Sequence, residues 1–127
     1  MIEKLLKIAK RLNVKVITTT DRNSCYVIDT NTIYLNGNDS LIIEVLAHEL
    51  GHVAGVLLGR QTFNTEIYFN TYDKEELIAD LIAVTIGKTL NFNTPICKRR
   101  SLKFFKKIDE NVMHHVNTSV ELLIGTH

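Results

Sequence analysis

The sequence holds a single proline, six glycines and two cysteines. So little proline and glycine excludes collagen-like and linker-like chains. No apolar run approaches the ~18 residues that a membrane-spanning helix needs. The first twelve residues alternate apolar and basic side chains and lack the continuous apolar block of a secretory signal, so the expected location is the cytoplasm, with no membrane partner. Cys25 and Cys97 lie far apart and form no CxxC pair. In a reducing compartment they read as two half-buried thiols outside any disulfide. What remains is ordinary: 127 residues, 45% hydrophobic and 23% charged. That composition fits one globular domain spanning 1–127, which buries about two thirds of its unfolded surface.

Acidic residues are missing from one stretch in particular. Residues 98–107 carry Lys98, Arg99, Arg100, Lys103, Lys106 and Lys107 and no acid. The other nine bases face 14 acids, so the rest of the chain has a net charge of −5. A basic patch on an acidic body, with Phe104 and Phe105 interleaved, makes Lys98, Arg99, Arg100 and Lys103 candidate nucleic-acid contacts. The competing expectation is a solvated helix face with Phe105 in the core.

Hydrophobic spacing predicts the elements. Ile2, Leu5, Leu6, Ala9 and Leu12 recur at helical intervals and predict a first helix ending near Asn13. Val14–Thr19 is almost wholly β-branched and reads as a strand. Cys25–Ile28 and Thr32–Leu35 read as a hairpin around Asp29–Thr30–Asn31. Asp39 or Ser40 is expected to cap a helix over Leu41–Leu58, stopped by Gly59. Residues 60–72 read as a loop with a short strand at Glu66–Phe69. A helix from beyond Asp73 to Leu90, a break at Asn91–Pro95, and a helix over Ser101–Val116 with Leu102, Phe105, Ile108, Val112 and Val116 inward complete the series. A helical tail over Ser119–Ile124 follows.

The decisive segment is His48–Glu49–Leu50–Gly51–His52, an HExxH pattern. Positions i and i+4 of a helix share a face, so both imidazoles reach one ion from a single rigid rod. Glu49 projects about 100° further round, beside the ion without ligating it. Zinc suits two imidazole nitrogens and a carboxylate, with the fourth position open to water, and Glu49 then serves as general base in attack on a carbonyl. With five histidines and eight glutamates, chance supplies the pattern in about one shuffled chain in a hundred. Gly51 and Gly55 weaken a helix by ~1 kcal/mol each, which implies close approach of another backbone.

Glu76, 24 residues past His52, is the expected third ligand, with Glu75 in reserve. Asp80 follows Glu76 at i+4 and is placed to accept the outer N–H of a ligating histidine. Asp73 and Glu76 alternatively spell a capping box that needs no metal. Tyr68, Tyr72, His114 and His115 are candidate oxyanion stabilisers, Tyr72 being nearest along the chain to Glu76.

Over residues 33–90 these motifs resemble zincin-type metallopeptidases of mobile genetic elements. Ile33–Tyr34–Leu35–Asn36 leading into His48–His52 is similar to the ImmA/IrrE family, in which an HELGH helix precedes an E-x-E-A-N-x-F-A helix; here the second segment is Glu76–Ala83, with Ile78 in place of the second Glu and Asp80 in place of Asn. The peptidase domain of ArdC-type and polyvalent antirestriction proteins is similar too. Its Y-x-x-E-E-L-x-A-E pattern corresponds to Tyr72–Asp80, with Asp80 for the final Glu; Ala54 replaces a Thr after the HExxH. Both resemblances imply a metal held by His48, His52 and Glu76, with Glu49 as base. They also imply an α+β zincin-like fold: a small antiparallel or mixed sheet, an HExxH helix and a helical C-terminal part. The implied activity is zinc-dependent peptide hydrolysis by a regulatory or antirestriction protease, acting on a transcriptional repressor or host defence protein. In the family geometry Thr32–Leu35 is the sheet edge expected to receive an extended peptide. The alternative is a nucleic-acid-associated or host-factor-binding effector whose metal site is structural.

Overall fold

A computed structural model describes residues 1–61 and 74–125. The described residues form helices α1 (Ile2–Arg11), α2 (Ile42–Leu57), α3 (Lys74–Leu90), α4 (Pro95–Lys103) and α5 (Glu110–Ile124), a 3-10 turn at Phe105–Lys107, and strands β1 (Lys15–Thr19), β2 (Cys25–Val27) and β3 (Thr32–Asn36). The class is α+β, with a three-stranded mixed sheet. The expected strand at Glu66–Phe69, and Tyr68, Tyr72, Asp73 and His127, lie outside the described residues. No helix among those described is long and apolar enough to cross a membrane.

Each early element follows from its residues. Leu5 and Ala9 bury one face of α1. Asn13 then takes a left-handed conformation (φ 60°) that turns the chain into β1, a role that asparagine tolerates better than most side chains. Asn31 (φ 50°) turns β2 into β3 and is clamped by Tyr26 Oη, which donates to its Oδ1 at 2.5 Å. Its own Nδ2 donates to the Asn13 carbonyl at 2.9 Å, so the two turns hold each other.

The sheet order is β1-β3-β2. β1 runs parallel to β3, with Lys15 opposite Thr32, and β2 runs antiparallel, with Cys25 opposite Tyr34. This placement corrects one expectation. β3 lies at the centre, with both edges hydrogen-bonded, so Thr32–Leu35 cannot take up a peptide. Among the described residues, the unpaired edges belong to β1 and β2.

Buried Ile33 and Leu35 alternate with half-buried Tyr34, the period-2 pattern of a strand covered on one face. Against this sheet lies α2, buried continuously from Leu46 to Gly55. A helix buried on every side is a central rod, and here it packs against the sheet and the other four helices. The Asp39 carboxylate accepts the Leu41 amide at 2.9 Å just before α2, and Gly59 (φ 80°) follows its end. Leu77, Ile78, Ile82 and Ile86 of α3 are buried, and α3 ends at left-handed Asn91.

The C-terminal part departs from the single helix expected over Ser101–Val116. Pro95 opens α4 in its first turn, where its missing N–H costs nothing and its fixed φ is already helical. Ile108 is extended, and the Asp109 carboxylate accepts the Val112 amide at 2.8 Å to start α5 afresh. The apolar spacing therefore runs across a capped boundary where the helical phase restarts. Val112 and Val116 point inward as expected, whereas Leu102 and Phe105 are 63% and 60% exposed. The tail over Ser119–Ile124 is continuous with α5.

α4 is also capped from outside its own sequence. Glu44 of α2, 3% exposed, accepts the amides of Ile96 and Cys97 at 3.1–3.3 Å. These are orphan donors of the first helical turn, and the N-cap residue Thr94 makes no side-chain bond to them. Burial pushes the Glu44 pKa above its ordinary 4.5, against the pull of those amides and of Arg100. The folded state thus binds this proton more tightly than the unfolded chain, so the group's contribution is fully present below about pH 4.5 and is lost as pH rises through the folded pKa. Accordingly, the stability of the wild type relative to Glu44→Gln should decline as pH rises above about 4.5 in paired denaturant titrations. A difference that grows over that range contradicts this account.

Candidate metal centre

His48 and His52 lie on the inner face of α2, 7% and 8% exposed. Their rings stand edge to face with centroids 4.8 Å apart. α3 reaches them because Gly51 has no side chain. A Cβ there would lie 3.1 Å from Ala79 Cα and 3.3 Å from Ala79 Cβ. This is the close backbone approach that the paired glycines implied. At Gly55 the neighbours are side chains instead: Gln61, Glu75 and Arg60. With α2 and α3 in contact at Ala79, Glu76 and Asp80 fall on either side of it and meet the two histidines.

The resulting geometry is a triangle of side chains. His48 Nε2 and His52 Nε2 are 3.1 Å apart, and the Glu76 carboxylate oxygens lie 3.1 Å from the first and 3.0 Å from the second. The outer nitrogens settle the tautomers. His48 Nδ1 is 2.8 Å from an Asp80 oxygen, and a carboxylate only accepts, so Nδ1 carries the hydrogen. His52 Nδ1 donates in the same way to Gln61 Oε1 at 3.1 Å. In neutral imidazoles both Nε2 atoms therefore turn lone pairs toward each other and toward Glu76. Three acceptors at this spacing repel one another unless positive charge lies between them. Ligand atoms about 2.0–2.1 Å from a tetrahedral zinc stand roughly 3.3 Å apart, close to the separations seen here. The donor set fits a zinc-type cation.

The local field favours positive charge at this point. Burial works against protonation of His48, yet the bonds to Asp80, Cys97 and Glu76 and the charge of Glu49 raise its pKa well above the ordinary value. His52 is raised too, with burial again opposed by Glu76 and Glu49. Burial would raise the Glu76 pKa, but the two imidazoles hold it far below the usual carboxylate range. Without an ion these shifts favour protons on the imidazoles beside an ionised Glu76, and a bound cation would take the place of those protons.

Asp80 is wholly buried and is also the partner of Arg100, which donates to Oδ2 through Nε at 3.0 Å and to Oδ1 through Nη2 at 2.6 Å. Arg100, expected among the nucleic-acid contacts, is thus engaged behind the metal centre, because a buried carboxylate is stable only when paired and hydrogen-bonded. Lys98, Arg99 and Lys103 are exposed. A second cluster, His48, Asp80 and Cys97, also brings donor atoms within 4.8 Å of one another. There the guanidinium already occupies both Asp80 oxygens, and burial pushes the Cys97 thiol up to about 11. A cation is better served by the triangle.

The remaining candidates are dispersed. Glu75, the reserve ligand, receives Arg60 Nε at 3.1 and 3.3 Å, and Arg60 Nη1 donates to Ser119 Oγ at 2.7 Å. His114 is exposed and His115 half-buried on α5, where His115 lies in the field of Arg60, Lys74 and Glu75. Glu49 is 9% exposed, and its charge acts on both ligand rings. Sequence reasoning missed Gln61 and the inward role of Arg100. Neither carries a spacing signal, since both reach the site through tertiary contacts. No protein-family model, curated protein or solved structure matches the chain.

Two outcomes follow from this geometry. Gln61→Ala removes the acceptor that orients His52 and should weaken Zn2+ binding about 10–100-fold in chelator competition, with the fold intact by circular dichroism. Gly51→Ala forces α3 away and should cost roughly 1–3 kcal/mol in urea unfolding.

Proposed function

We propose that the chain is a zinc-dependent peptidase of the zincin type, with His48, His52 and Glu76 as metal ligands and Glu49 as general base. The observation that carries this reading is the meeting of three acceptor side chains, His48, His52 and Glu76, through contacts of 3.0–3.1 Å, with a buried glutamate next to the first of them. When bound there, zinc supplies a Lewis acid for a peptide carbonyl and acidifies a water.

The chain's own residues do the rest. Asp80 and Gln61 hold each imidazole with Nε2 unprotonated, and Arg100 keeps the Asp80 carboxylate in place. Glu49 takes the proton of the attacking water and returns it to the departing amine nitrogen, acting first as base and then as acid. No side chain among the described residues hydrogen-bonds its carboxylate, so its proton-accepting capacity is kept for that exchange. An extended substrate would add as a further strand to an unpaired edge, and β2 is the better placed of the two because it packs against α2. The resemblance to mobile-element peptidases supports a regulatory or host defence protein as the substrate.

Zinc titration of the purified chain should give one bound equivalent, lost in His48→Ala and retained in Glu49→Gln. The zinc-loaded chain should cleave members of a fluorogenic peptide library, and Glu49→Gln should be slower by about 10²–10⁴-fold. A chain that binds no zinc, or a Glu49→Gln variant that cleaves at the wild-type rate, overturns the proposal.

A further inference from the structure

The outer surface of α4 and the 3-10 turn plays no part in the metal centre. Lys98, Arg99, Lys103, Lys106 and Lys107 are all exposed. The sixth base of this stretch, Arg100, is bound to Asp80. Leu102 and Phe105 stand among the five at 63% and 60% exposure, and the Lys107 ammonium lies 5.5 Å from the Phe104 ring centroid. The next acid in sequence, Asp109, spends its carboxylate on the α5 cap. Six bases in ten residues with no acid make this the densest cationic stretch of the sequence.

We propose that the exposed surface of this segment, through Lys98, Arg99, Lys103, Lys106 and Phe105, binds single-stranded nucleic acid. Charge complementarity selects a polyanion, and the apolar side chains select among polyanions. A duplex offers its phosphate backbone and groove edges, neither of which meets an exposed phenyl ring. An unpaired base offers a flat π-face, which stacks on an aromatic side chain while neighbouring cations track the phosphates. A membrane surface would call for a continuous apolar stripe along a helix. Here two exposed apolar side chains, Leu102 and Phe105, stand in a segment with five exposed cations. At 1.5 Å rise per residue the nine residues of α4 extend roughly 14 Å, room for only a few nucleotides. Modest, salt-sensitive and sequence-tolerant binding is the consequence.

Fluorescence anisotropy of the full chain with a labelled oligothymidylate, titrated at several salt concentrations, tests this without reference to peptidase activity. Affinity should fall with salt at a log–log slope of about −0.7 per phosphate contacted, no steeper than roughly −3.5 for five cations. Phe105→Ala should weaken binding about tenfold, as should Lys103→Ala/Lys106→Ala. The charge-matched pair Lys7→Ala/Lys10→Ala on α1 should leave it unchanged. All four lysines and Phe105 are exposed, so these variants keep the fold, checked by circular dichroism. The proposal fails if the oligonucleotide does not bind at low salt, if both lysine pairs weaken binding equally, or if phosphatidylserine vesicles are bound and the oligonucleotide is not.

Discussion

A carboxylate with no solvent exposure holds the candidate site together. Asp80 receives the His48 Nδ1 hydrogen on one side and the Arg100 guanidinium on the other. Taking that charge out of water costs several kcal/mol, and removing one partner of such a pair is strongly destabilising. The groups around it are therefore bound to one arrangement: α4 must lie where Arg100 can reach Asp80, and the His48 ring must turn its Nε2 toward His52 and Glu76. Glu44 fixes the opposite end of α4 by accepting its first-turn amides. A short, mostly polar helix with little apolar surface of its own is thus held by two buried carboxylates, one from α2 and one from α3.

The two helices that carry the candidate site, α2 and α3, meet through a contact of small residues, Gly51 on Ala79. Helix axes usually pack 8–10 Å apart, according to the side chains at the contact, and a glycine facing an alanine belongs at the short end of that range. Short carboxylate side chains on α3 then span to the imidazoles of α2 without help from a loop. Helices carry all three side chains, with Gln61 beyond α2 orienting His52, so their spacing is maintained by core packing.

How much of this was legible in the sequence depends on the range of the interaction. The HExxH pair, the Glu76–Asp80 step and the glycine spacing are all encoded within one or two helical turns, and the structure brings those residues together. The alternation of Ile33 and Leu35 with Tyr34 marked β3 as a strand, but strand order is a long-range property. A sequence motif at an expected sheet edge therefore fell at the sheet centre. The apolar series Leu102, Phe105, Ile108, Val112 and Val116 misled for a related reason: a period of 3.6 continues numerically across a break, while the chain obeys the Asp109 cap. Gln61 and Arg100 had no local signature. An amide acceptor nine residues beyond a ligand, or one arginine among six bases, is distinguished only by what folds against it.

Arg100 shows how a charge run divides its labour. Counted along the chain it is one of six cations in ten residues, all equivalent to a composition argument. In the fold, α4 presents Arg100 toward α3, where Asp80 has no access to water and needs a counter-charge. The guanidinium suits that position because its planar fork meets both carboxylate oxygens at once, which a lysine ammonium cannot do. The lysines stay on the outer face, where a flexible, well-hydrated ammonium is inexpensive to keep. A single nine-residue helix therefore separates its cations by chemistry: the bidentate donor inward on a buried acid, the point charges outward around exposed Leu102. The fixed inward contact sets the rotation of α4, and that rotation determines which side chains the outer face displays.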